Sequence, residues 1–374
     1  SDVYKRQVDN SALFALPFDS DRLEVQGSPM PVLDGVSSEQ DDAEAQFDVS
    51  DNGVLVYMPG SDQRQGFETA WADRTGKIEP LWEQLGFYGT PRLSPDGRRL
   101  AVSLLRGEDW DVWVYDIERD VATRITFDAG YDADPIWSPD GRWLAYASER
   151  DEGVGMYRKR ADGTGDSETL IEPGELDFPA PTSWSPDGQR IAFTSPPESG
   201  DSRIADVFFV SVEGGEVEPY LTTPFRESDP FISPDGRWLA YTSIESGRPE
   251  VYVRSLEGEG RWQITDGFGA QPLWSPAGDE LFYRGREGLM AVSVAVDGGE
   301  FQAGLSERLF GEIFGNPMGV TVPGYLFYDY DVAPDGQRFV VFPRVDSDDT
   351  PASRVHIVTG WFEELRSLTE SAGN

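Results

Sequence analysis

Few side chains in this chain of 374 residues are of a type and spacing that could do chemistry. There is no cysteine, which excludes disulfides, thiolate nucleophiles and thiolate metal sites. His356 is the only imidazole, and it stands in the alternating segment 355–358, which reads as a strand. A serine nucleophile on an α/β sheet would need a Gly-x-Ser-x-Gly elbow, and the sequence has none. The catalytic and metal-binding loops of protein kinases are missing as well. What remains is carboxylate: 68 acidic residues against 31 Lys and Arg, a formal net charge of −37.

Carboxylates could act as an acid/base pair on a glycosidic bond, ligate calcium, or set up a field that attracts cations. No spacing singles out a catalytic pair. Two loops gather acids, Asp128, Asp132 and Asp134 in one and Asp346, Asp348 and Asp349 in the other. Neither has EF-hand spacing, so no cofactor is expected, with calcium at these loops as the alternative. The acidity argues against nucleic acid and anionic membrane surfaces as partners. No apolar run approaches the roughly 18–20 residues needed to span a bilayer as a helix.

The elements that position these groups are set by one short phrase. Ser-Pro-Asp-Gly occurs at Ser94, Ser138, Ser185 and Ser233, with weaker copies beginning at Ser50, Ser275 and Ala333. The steps between first residues are 44, 44, 47, 48, 42 and 58. A period in the forties marks an array of small units. The phrase suits a type I turn, with Pro presetting φ at the second position and Gly at the fourth. Its Asp therefore reads as a turn residue, not a catalytic group. An apolar residue precedes each turn (Val49, Leu93, Trp137, Trp184, Ile232, Trp274, Val332), and a proline recurs slightly earlier at Pro91, Pro135, Pro181, Pro230 and Pro272. After the turn, apolar residues alternate, as in Leu100/Val102, Leu144/Tyr146, Ile191/Phe193 and Leu239/Tyr241.

Around Ser138 the unit reads as four short antiparallel strands separated by turn clusters. Such a sheet has two apolar faces, which radial repetition into a β-propeller covers. The fold class is therefore all-β: a β-propeller of four-stranded antiparallel blades. Seven blades are expected, closed by three strands from 328–359 and one from 11–34; eight is the alternative. Residues 8–366 are expected to form this single domain. Residues 1–7 read as a non-native leader and 367–374 as a polar tail. Gly and Pro with Phe314, Met318, Val320 and Val322 fill the long step at 311–325, expected to fold against the propeller or to serve as a binding flap.

These repeats resemble the TolB-type propeller repeat, which also occurs beside prolyl-oligopeptidase-like hydrolases. Residues 12–18, 157–163, 246–254 and 355–365 further resemble the propeller region at the end of bacterial membrane-anchored serine/threonine kinases. The resemblance covers roughly residues 8–366, and implies an extracytoplasmic, non-enzymatic sensor or scaffold module within a larger protein. The alternatives it carries are the propeller of a prolyl-oligopeptidase-like hydrolase, or a propeller enzyme with its own carboxylate site.

Propellers bind at the mouth of the central channel, where first strands begin. Asp134, Asp229 and Gln271 stand there, just before marker prolines, with Tyr131 close by. These four residues are the expected ligand site, for a protein, peptide or small molecule. Converging carboxylates would favour a cation, an amine or a basic peptide, unless Arg92 and Arg226 neutralise them.

Overall fold

The computed structural model describes residues 3–9, 12–19, 22, 24–25, 30–33, 47–50, 52–57, 67–106, 109–196, 205–297, 300–311, 328–343 and 356–362. The chain divides into two compact units, 66–345 in one and 1–65 with 346–374 in the other. The expected flap at 311–325 and the acids Asp346, Asp348 and Asp349 lie outside the described residues, save Gly311.

In the larger unit the repeat phrase makes the same turn each time. In the first, the Ser94 hydroxyl donates to Asp96 at 2.6 Å and accepts from the Arg99 N–H at 3.0 Å, while Asp96 accepts from the Arg98 N–H at 3.1 Å. Ser138 with Asp140, Ser185 with Asp187 and Ser233 with Asp235 repeat these contacts. The Ser hydroxyls hold Asp96, Asp140 and Asp187 below the usual carboxylate range. The repeated Asp is thus a turn residue.

Each turn joins the innermost two strands of a blade. Blade I consists of the second half of Ile78–Leu93, then Arg99–Arg106, Asp109–Asp116 and Val121–Arg124. Blades II, III, IV and V begin with Asp132–Trp137, Ala180–Trp184, Glu227–Ile232 and Ala270–Trp274, and each continues through three antiparallel neighbours. Blade VI combines Tyr330–Val332 and Arg338–Val341 with Phe67–Asp73 and the first half of Ile78–Leu93. The long strand Ile78–Leu93 therefore passes from the outside of blade VI to the centre of blade I. Innermost strands touch in cyclic order, I to II and on through VI back to I.

Six apolar clusters fill the six interfaces between neighbouring blades. Leu100, Leu144, Ile191, Leu239, Leu281 and Phe339, all on second strands, have no exposed surface. Full burial of such a side chain contributes about 1.5–3 kcal/mol, so the second strands carry much of the cohesion.

The closure differs from the sequence expectation. Among its described residues the larger unit holds six blades where seven were expected of the whole chain, and residues 8–65 and 346–366 fall in the smaller unit. Met30–Leu33 pairs with Ala12–Asp19 in the smaller unit instead of completing a blade. The copy at Ser50 also lies there, in a three-stranded sheet of Phe47–Val49, Leu55–Tyr57 and His356–Val358. Val3–Asp9, within and just past the expected leader, forms a hairpin with Ala12–Asp19. Backbone pairing needs no apolar side chains, so the polar composition of 1–7 did not reveal it. Phe67–Asp73 pairs with the distant Arg338–Val341. Pairing with the distant strand leaves no blade face of the ring open, and it buries Ala70, Ala72, Phe339 and Val341 together.

Neighbouring turns also touch. Gly97 has φ +68°, and a Cβ placed there would lie 2.9 Å from Pro334 of the preceding turn. Gly336 has φ +65° with nothing near. We expect Gly336→Ala to cost about 1–2 kcal/mol from left-handed strain alone. Gly97→Ala adds an overpacking cost of about 1–3 kcal/mol. Denaturant unfolding of the two variants checks the order; equal losses would show that the turn contact does not matter.

Candidate functional site

The innermost strands share a second irregularity. Register shifts fall at Gly89/Arg92, Ala133/Ile136, Ser228/Phe231 and Ala270/Leu273, the signature of a β-bulge. Inside these bulges Thr90, Asp134, Asp229 and Gln271 adopt φ of +43°, +56°, +56° and +55°. Asp is among the few types other than Gly that tolerate this left-handed conformation. Three of the four residues expected at the channel mouth are thus equivalent positions of blades II, IV and V.

All three are buried and engaged. Asp134 accepts from the Thr90 hydroxyl at 2.6 Å and from the Tyr131 hydroxyl at 3.3 Å, and its N–H donates to Ser103 Oγ at 3.1 Å. Asp229 accepts from Ser228 at 3.1 Å, and the Gln271 N–H donates to Thr242 Oγ1 at 3.2 Å. Burial raises the Asp134 and Asp229 carboxyls above their ordinary range; hydrogen bonds and the charges of Arg92 and Arg226 oppose it. Tyr131 is half-buried, with its ring 5.3 Å from that of Phe178. These groups tie blade to blade. Tyr328 and Tyr330 of blade VI add to this, donating to the Asp229 carbonyl at 3.2 Å and the Gln271 carbonyl at 2.7 Å.

In the loop 128–134, Asp128 and Asp132 share Arg150, at 2.8 Å and 3.5 Å, and Asp132 also accepts from Ser148. Among the described residues no three His, Cys, Asp or Glu side chains are grouped to hold a metal ion. His356 is exposed on its strand, with Nδ1 3.2 Å from the Tyr57 hydroxyl.

The other end of the channel is ringed by the turns. Between the turns lies a cavity of about 390 Å³, rimmed by one turn proline from each blade: Pro95, Pro139, Pro186, Pro234, Pro276 and Pro334. Trp137, Trp184, Trp274 and Phe231 form its aromatic walls. Two charged residues line it, Arg92 of blade I and Asp331 of blade VI. Asp331 accepts from the Leu93 N–H at 2.6 Å, and the Arg92 guanidinium lies 4.0 Å above the Tyr328 ring. Such apolar concavities with a few convergent polar groups are where ligands bind.

Sequence reading placed the site at the bulge end and named Arg92 only as a neutraliser; Asp331 went unnamed, and Trp137, Trp184 and Trp274 were read only as the apolar residues before the turns. A signal was present. Two residues before the turn start, the other blades carry Ile136, Ser183, Phe231 and Leu273, and only Arg92 and Asp331 put charge there.

Residues 72–174 match the family profile of the TolB beta propeller domain. An uncharacterized protein of Agrobacterium fabrum is 31% identical over 208 residues, 52% of this chain and 58% of that protein. An uncharacterized peptidase of Bacillus subtilis is 28% identical over 190 residues, 41% of this chain and 29% of the peptidase. The chain thus spans little more than half of one relative and under a third of the other. Among solved structures, a candidate TolB from Agrobacterium tumefaciens matches with a TM-score of 0.56 at 19% identity, over 74% of this chain and 98% of that one. That likeness establishes the propeller fold.

Burial pushes Asp331 and Asp329 up to about 6, against the pull of Arg92 and Arg284 respectively. A carboxyl whose pKa is raised on folding stabilises the fold below its unfolded pKa, and that contribution is lost as pH rises through the folded value. From pH 4 to pH 7 the protein is therefore expected to lose stability through these two groups. Asp331→Asn should raise stability at pH 7 by on the order of 2–3 kcal/mol and leave it nearly unchanged at pH 4. Melting curves across that range check this, and a gain of equal size at both pH values would refute it.

Proposed function

We propose that this propeller, whose residues 72–174 are of the TolB type, is a non-enzymatic binding module that holds a protein, peptide or small-molecule ligand at its turn end. The observation that carries this reading is the cavity of about 390 Å³, walled by tryptophan and ringed by six prolines. Aromatic and proline rings present large apolar area with little conformational freedom to lose, which favours holding a ligand. At the bulge end, Asp134, Asp229 and Gln271 are between 5% and 7% exposed and bonded to neighbours, so that tier reads as the brace of the ring. The TolB-type match supports placing the protein outside the cytoplasm. The resemblance of 12–18 and 355–365 to kinase-linked propellers supports a sensor role within a larger protein.

A second reading has one observation in its favour, the match to the Bacillus subtilis peptidase. In that case the propeller is the accessory part of a hydrolase whose catalytic domain is carried elsewhere.

Titrating the full chain with a panel of peptides and small molecules, read by tryptophan fluorescence, tests the binding reading. Saturable binding is expected, weakened at least about tenfold by Trp184→Ala, about 1.4 kcal/mol. Binding untouched by Trp184→Ala but lost in Asp134→Asn with Asp229→Asn would move the site to the bulge end. Turnover of any panel member would refute a non-enzymatic role.

A further inference from the structure

We infer that the ligand of the turn-end cavity presents a carboxylate to Arg92, attached to an apolar body that lies against the tryptophan walls. The inference rests on the reading above that this cavity binds a ligand.

Arg92 is 4% exposed, yet its hydrogen bonding is incomplete. Nη1 donates to the Pro91 carbonyl at 2.9 Å. Nε and Nη2 have no acceptor among the described residues. A guanidinium stays charged at any physiological pH, and leaving its donors buried without acceptors is costly. The one acid beside it in the cavity, Asp331, has Oδ2 turned to the Leu93 N–H at 2.6 Å.

The repeat itself does not ask for this charge. The equivalent positions of blades II, IV and V are Ile136, Phe231 and Leu273, which close their blades with apolar side chains. Stacking on Tyr328 at 4.0 Å covers one face of the guanidinium and fixes its plane. The Phe231 ring also lies 5.8 Å from the guanidinium, and the buried, unpartnered Nε and Nη2 make up the side-on fork whose two parallel N–H groups match the two oxygens of a carboxylate. Trp137, whose indole N–H donates to the Arg92 carbonyl at 2.9 Å, and Trp274 elsewhere in the cavity wall supply apolar surface for what the carboxylate is attached to. A lone inorganic anion would leave those walls unfilled. The expected ligand is therefore an organic acid with an aromatic or aliphatic body. Two sources share that chemistry: the C-terminal end of a polypeptide with an apolar last residue, and a free small acid.

The test uses the full chain and matched pairs of probes. One pair is a short peptide ending in phenylalanine, as the free acid and as the C-terminal amide. The other is phenylacetate and phenylacetamide. Each acid is expected to bind at least about tenfold more tightly than its amide. Preference for the peptide acid over phenylacetate assigns a polypeptide end, and the reverse assigns a small acid. Arg92→Met, which keeps an unbranched apolar side chain, should erase the difference between acid and amide. Asp331→Asn keeps an acceptor for the Leu93 N–H and removes the competing charge, so it should tighten the acids several-fold. That second variant decides the matter if Arg92→Met does not fold. Trp184→Ala should weaken acid and amide alike, because it reports on the cavity and not on the carboxylate. Amides binding as tightly as acids would overturn the inference while leaving the cavity reading intact. Failure of all four probes to bind would overturn both.

Discussion

A four-stranded blade has two apolar faces and cannot cover either by itself, so each blade here exists only as a neighbour of two others. The pairing of Arg338–Val341 with Phe67–Asp73 turns that dependence into a closed circuit. Without it, blade VI would lack its outer strands, and the faces now filled by Phe339, Val340 and Phe342 would be open. The alignment of the innermost strands follows from this closure, and with it both tiers of the channel.

The two tiers divide the work. At the bulge end, left-handed residues bond to adjoining blades, where Thr90 of blade I meets Asp134 of blade II and the Gln271 N–H of blade V meets Thr242 of blade IV. Satisfied polar groups in a low dielectric hold a unique arrangement. At the turn end, the walls are stiff rings and the polar groups are few, which leaves room and one under-bonded cation. The functional reading follows from this asymmetry more than from the net charge of −37, to which turn residues such as Asp96 and Asp140 contribute.

Local chemistry made much of the fold legible in the sequence. Ser, Pro, Asp and Gly specify the turn within a few residues, and the alternation of Leu144 with Tyr146 specifies the strand after it. Closure was not legible, because Phe67–Asp73 and Arg338–Val341 lie far apart in the chain and their pairing depends on the ring as a whole. Proline spacing located Asp134, Asp229 and Gln271 on their strands, but pattern alone did not show that they are buried and bonded. Arg92 was visible as the one cation at its position among the repeats. Its importance depends on Tyr328, which lies far along the chain and stacks on it only once the ring closes.

The closing blade also imposes an order on the birth of the molecule. Phe67–Asp73 leaves the ribosome before any of the first five blades, whereas Arg338–Val341 follows all of them. Blades I to V can stack as they emerge, each using hairpins formed from adjacent chain. Throughout that interval the edge that will receive Arg338–Val341 keeps its backbone groups unpaired, a template for strands of other molecules. Glu68 and Asp73 place charge on that strand, a feature that discourages edge-to-edge pairing. The segment that completes the ring is thus also the one that ends the nascent chain's exposure to its neighbours.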